Sequence, residues 1–202
     1  MGTLADLKAQ ILDEIGDGVS VRQIGQHITR AIEQVASERF WFNQGRVTTV
    51  TVSGVDTCAL PAGLRRDDLV QILVGGTYYP LVKRSKAELD DMLLGDANTD
   101  QPTDYALVGS VLQLYPTPNA VYTIAATGIY DGAALATDTA SNAWTTEGAD
   151  LIVARAKVSL ARDILKNADI MAAANNAVAD ALYRLRADTI RRVNTGRMRA
   201  SA

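Results

Sequence analysis

Residues 146–193 read TEGADLIVARAKVSLARDILKNADIMAAANNAVADALYRLRADTIRRV, and this stretch decides the fold. Leu151, Val158 and Leu165 recur at seven-residue steps, and Ile152, Ala156, Leu160 and Ile164 widen the same apolar side. Arg155, Lys157, Arg162 and Lys166 occupy the rest of the circumference. Asn167 and Asp169 break the pattern, after which Ile170, Ala174, Val178, Ala181 and Leu185 resume it at steps of three and four. The spacing predicts two long helices. The first, capped by Thr145 or Thr146 and favoured by Glu147 at its N-terminus, would run roughly 30 Å at about 1.5 Å per residue. Alanines at 172–174, 177, 179 and 181 raise helix propensity in the second and permit close helix approach. Neither stripe can be buried alone, so another part of the chain must cover both.

The N-terminus offers that cover. Leu4, Leu7, Ile11, Leu12 and Ile15 form one short amphipathic helix, ended by Gly16-Asp17-Gly18. Ser20 can cap a second, whose stripe is Val21, Ile24, Ile28, Ala31, Ile32 and Val35. It runs into Phe40-Trp41-Phe42, which holds both phenylalanines and one of the two tryptophans.

From Arg46 the period becomes two. Val47–Val52 consists of valine and threonine alone, Thr57–Leu60 is a short strand stopped by Pro61, and Leu69–Val74 is apolar on both faces, as a central strand requires. Gly75-Gly76 predicts a tight hairpin into Thr77–Val82. Ser85 and Glu88 have capping-box spacing and open a short helix. Tyr105–Val108, Val111–Tyr115 and Ala120–Thr127 are three further strands. The fold class is therefore α+β. A helical bundle made of 1–43 and 146–202, with two long C-terminal helices, carries an inserted antiparallel β module over 44–145. Phe40, Trp41, Phe42 and Trp144 fall at the two chain crossings and are expected to form the junction between modules.

Composition narrows the function. The 202 residues carry a net charge of −3, which gives the chain no overall electrostatic grip on nucleic acid or anionic membrane. Cys58 is the single cysteine and His27 the single histidine, so a thiolate cluster, a zinc site and a Cys-His or Ser-His-Asp arrangement all lack a second member. His27 is expected to be a partly buried structural residue. No phosphate-cradling glycine pattern occurs. The adjacent pairs Asp67-Asp68 and Asp90-Asp91 diverge in any regular element and are poor acid–base partners. No signal peptide and no membrane-spanning run are read, and neither a metal nor a cofactor is expected. Charge is unevenly spread. Glu88, Asp90, Asp91, Asp96, Asp100 and Asp104 are six acids in a stretch without a base, whereas 184–202 holds six arginines against Asp188 alone.

The order Glu38-Arg39-Phe40-Trp41-Phe42-Asn43, Leu60-Pro61, Val74-Gly75-Gly76-Thr77-Tyr78-Tyr79-Pro80-Leu81, Arg84-Ser85-Lys86-Ala87-Glu88-Leu89, Gln101-Pro102-Thr103-Asp104-Tyr105-Ala106-Leu107 and Leu112-Gln113-Leu114-Tyr115-Pro116-Thr117-Pro118 resembles the head-to-tail connector (adaptor) proteins of tailed bacteriophages. That class includes tail tubular protein A, and the likeness covers nearly the whole chain. The resemblance implies a non-catalytic virion component at the head–tail junction, or neck, assembled in the host cytoplasm. It implies a twelve-subunit homo-oligomeric ring beneath the portal protein, above a tail nozzle, hub or other tail protein, with DNA passing through the lumen. On that reading Arg184, Arg186, Arg191, Arg192, Arg197, Met198 and Arg199 are the portal-binding candidates. The acidic segment would then face the lumen or a basic patch on the next subunit. Two alternatives stay open: a nucleic-acid-binding module using the arginine tail, and a virion-associated cell-wall hydrolase with distant carboxylates brought together.

Overall fold

The computed structural model describes residues 2–16, 18–95 and 98–194 and has an α+β fold. The chain forms two compact units. One takes the sequence up to Asn43 and again from Asp131; the other is Gln44–Tyr130.

The first unit opens with α1 (Leu4–Ile15) and α2 (Val21–Val35), each started by a capping box, Thr3 with Asp6 and Ser20 with Gln23. Each box satisfies backbone N–H groups that the first turn leaves without partners. Leu4, Leu7 and Ile11 of α1 and Ile24, Ile28, Ala31 and Val35 of α2 are buried in one apolar cluster. Val21, placed on that stripe by spacing, is half exposed instead because it is the first residue of its helix.

Among the described residues the second unit holds ten strands: β1 (Gln44–Val50), β2 (Thr57–Ala59), β3 (Leu64–Val74), β4 (Thr77–Pro80), β5 (Val82–Lys83), β6 (Thr99–Asp100), β7 (Asp104–Val108), β8 (Val111–Tyr115), β9 (Thr117–Pro118) and β10 (Thr123–Tyr130). One helix, α3 (Lys86–Gly95), lies among them. An antiparallel sheet has the order β1-β10-β3-β4, and a second sheet has the order β2-β8-β7-β5. Between them Val70, Ile72, Ile124 and Ala126 meet Cys58, Leu81, Tyr105, Leu112 and Leu114. β3 is central, as its two apolar faces require, and Gly75 and Gly76 make the β3–β4 turn with φ of +56° and +82°. The β5–β7 and β6–β9 pairings are parallel and only two residues long, too short to leave a periodic signal.

One irregularity organises this unit. Thr127 pairs with Leu69 but Gly128 pairs with Asp67, so β3 carries an extra residue at this point, Asp68, and a second shift between Ile129 and Tyr130 passes over Arg65. Side chains alternate along a strand, and a bulge resets the alternation. Asp67 is thereby turned inward, its side chain 5% exposed. Gly128 is required opposite: a Cβ there would stand 2.0 Å from the Arg66 carbonyl oxygen.

From Asp131 the chain is back in the first unit, earlier than the boundary at 145 expected from sequence. The reason is a set of backbone contacts that no periodicity announces. Leu4 and Ala5 donate N–H bonds to the carbonyls of Ala140 and Asp138, and the Thr145 hydroxyl donates to the Gly2 carbonyl. A short α4 (Ala143–Thr146) is capped by Asn142, with Thr145 as its reciprocal partner rather than as a cap itself. The first long helix then begins at Gly148, which supplies no side-chain cap. It consists of α5 (Ala149–Leu160) and a π turn (Ala161–Leu165), closed by Lys166 at φ +52°. Asn167 starts α6 (Ala168–Asn194), its Oδ1 accepting from the N–H groups of Asp169 and Ile170. Leu151, Ile152, Ala156 and Leu160 of α5 and Ala181 of α6 complete the apolar cluster, with Val178 and Leu185 packed against it.

Candidate functional site: the arginine-bearing end of the last helix

The C-terminal turns of α6 are held against the corner that follows α2. Phe40 and Trp144 are buried, and Phe42 sits with both, its ring centroid 5.5 Å from Phe40 and 5.0 Å from Trp144. Trp41 packs edge-on to Phe42 at 5.7 Å. The four aromatic residues singled out in the sequence thus form one cluster inside the helical unit. Asn43 fixes the corner, accepting from the Phe40 N–H at 2.8 Å and donating to the Glu38 carbonyl at 2.7 Å.

This corner receives α6 at three points. The Trp41 N–H donates to the Thr189 hydroxyl at 3.2 Å. The Arg192 guanidinium lies 3.5 Å above the Trp41 ring, a cation–π geometry. Arg186 reaches Glu38 at 2.8 Å. Arg191 pairs with Asp188 at 3.5 Å on the same helix, and Arg184 is exposed. Cations in the last turns also complement the helix dipole. Beside them Tyr183 is 76% and Ile190 60% exposed, seven residues apart and so on one face. The end of α6 is thus a surface, held at these contacts, that mixes arginines with bare apolar side chains. Glu38 and Thr189, which seat it, escaped the sequence reading. They lie about 150 residues apart, and no spacing in the sequence links the two. Arg197, Met198 and Arg199 lie outside the described residues.

The acidic stretch is less uniform than its composition. Glu88 accepts from the Ser85 N–H and hydroxyl, and these bonds hold its carboxyl below the usual glutamate range. Asp90 is held low first by its bond with Lys86 and then by Gln113. Asp100 accepts from the Gln101 N–H. Asp104 is buried and bound to Arg84 at 2.7 Å and to the Thr103 hydroxyl, which takes it out of any outward-facing acidic surface. Asp91 is exposed, and Asp96 lies outside the described residues.

The other singled-out groups are structural. His27 is buried with Nδ1 2.7 Å from the Ser159 hydroxyl, and burial lowers its pKa, favouring the neutral ring. Burial pushes the Cys58 thiol up to about 11, far from a reactive thiolate. Among the described residues no group of three His, Cys, Asp or Glu side chains stands close enough to hold a metal ion, and no helix is long and apolar enough to cross a membrane.

The family model described as SU10 adaptor protein covers residues 2–201, both units and the segments that join them. No curated protein matches the chain. Matched over nearly its full length, the chain belongs to the SU10 adaptor protein family and is a phage adaptor protein, a structural component of the virion.

Proposed function

We propose that this adaptor forms a ring, of twelve copies, between the portal protein and the tail of a tailed phage, assembled in the host cytoplasm and lining a conduit for DNA without catalysing a reaction. The observation that carries the reading is the family match over residues 2–201. Three further features support it. The arginine-bearing end of α6 offers Arg184, Arg186, Arg191 and Arg192 next to Tyr183 and Ile190, a combination suited to a protein partner. Arg197, Met198 and Arg199 extend that basic run in sequence as the rest of the portal-docking segment. A net charge of −3 gives little reason for the duplex to stick in the lumen.

The exposed members of the acidic segment, Asp91 foremost, are assigned to the lumen or to the next subunit, and the tail protein is assigned to the side of the ring away from the portal. Each exposed ion pair at the α6 end contributes only about 0–1 kcal/mol, so a partner carboxylate can replace an internal one at small cost. Repeated around a ring, weak contacts become firm through avidity. Truncation after Asn194 tests the docking segment. Capture of the truncated chain by purified portal is expected to fall at least tenfold, and undiminished capture would contradict the assignment. Salt-dependent binding of duplex DNA as tight as portal binding would favour a nucleic-acid-binding module instead.

A further inference from the structure

We infer that a recess between α2, α5 and α6 is a binding site for a single carboxylate group. Gln34 of α2, Arg155, Val158 and Ser159 of α5, Arg162 of the π turn, and Asn175 and Val178 of α6 line a pocket of about 130 Å³. None of these lining residues is acidic. Arg162 already has its counter-ion, with Nε and Nη2 donating to the two oxygens of Asp163 at 2.7 and 3.2 Å. Arg155 differs. Its Nη1 donates to the neutral Gln34 Oε1 at 3.3 Å, and its Nε is buried with no acceptor among the described residues.

A guanidinium cannot shed its charge, and a buried N–H without an acceptor costs about 1–3 kcal/mol. Such a donor beside a polar recess is therefore an incomplete interaction. The planar edge of a guanidinium matches the two oxygens of a carboxylate. The Asn175 amide can add a donor to the same group. The aliphatic walls from Val158 and Val178 suit the methylene stem that carries a carboxylate, and the volume admits one such side chain but not a strand of nucleic acid. His27 is engaged with the Ser159 hydroxyl, and burial lowers its pKa, so it adds no favoured positive charge to this arrangement.

The carboxylate can come from a free small acid or from an Asp or Glu side chain of another protein chain. The full-length, ¹⁵N-labelled protein is titrated with sodium acetate at constant ionic strength, and arginine Nε–H signals are followed by NMR. The Arg155 signal, identified by its loss in Arg155→Lys, is expected to shift saturably, while that of the exposed Arg22 drifts linearly. Asn175→Leu should weaken the titration several-fold. A linear response at Arg155, as a water-filled recess would give, overturns the site. So does saturation with sulfate but not with acetate. Self-association and portal capture of Arg155→Gln then separate the sources. Weakened association that acetate also weakens in the parent chain assigns the carboxylate to another chain, and unchanged association assigns it to a free acid. The acetate titration does not rest on the ring reading, so either can fail without the other.

Discussion

In the helical unit the centre is filled by rings and aliphatic chains: Trp144, Phe40, Ile28 and Leu151 are all buried in one apolar cluster. In the inserted unit Asp67, its side chain 5% exposed, is held by Lys83 at 2.6 Å and by the Tyr105 hydroxyl, which donates at 2.5 Å. Apolar packing is non-directional and tolerates an approximate fit, whereas a buried carboxylate demands that every partner be in place. The first unit can therefore be read from periodicity. The second depends on a bulge and on side chains that meet across its strands.

Trp144→Ala should do the most damage, because it removes a buried ring from its packing against both Phe40 and Phe42. The expected loss is about 3–5 kcal/mol in urea unfolding; a loss under 1 kcal/mol would show the aromatic cluster to be loosely packed. Gly128→Ala comes next. The added methyl must displace the Arg66 carbonyl, and a loss of about 3 kcal/mol is expected, the upper range for overpacking. Near-neutral behaviour would mean that the bulge is not fixed.

Tyr105→Phe removes only a hydroxyl, yet that hydroxyl serves a carboxylate, so about 1.5–3 kcal/mol should be lost. Burial raises the Asp67 pKa, but the bonds from Lys83 and Tyr105 outweigh it and hold the carboxyl below its ordinary value. The sign follows from linkage: a depressed carboxyl binds its proton less readily folded than unfolded, so folding is favoured at higher pH. Its contribution is complete above the unfolded pKa of about 3.9, and is lost as pH falls through the lower folded value. Stability measured from pH 6 down to pH 2 should fall less steeply in Asp67→Asn than in the parent chain, and equal slopes would contradict the tether. Arg192→Ala should have the smallest effect, about 0.5–1 kcal/mol for an exposed cation–π contact, read as a small drop in melting temperature.

The same contrast explains what the sequence could reveal. Leu151, Leu160, Ala174 and Ala181 announce the two last helices because burial follows helical spacing, and the Gly75-Gly76 turn announces its hairpin because few residues tolerate that backbone. Residues 131–142 have no period, so their return to the helical unit at α1 was invisible. Asp67 and Asp68 look alike in sequence, and only the bulge decides which turns inward. At the candidate site the arginines were legible as a charge run, whereas Glu38, Thr189 and the ring of Trp41 beneath Arg192 depend on folding that joins distant segments.

Native mass spectrometry of the full-length chain mixed with its portal protein tests the central claim most directly. The account predicts twelve adaptor copies on each portal ring, with the assembly lost when the chain is truncated after Asn194 and Arg184, Arg186, Arg191 and Arg192 are replaced together by alanine. A chain that stays monomeric beside an unoccupied portal, or one that docks equally well without those residues, would contradict it.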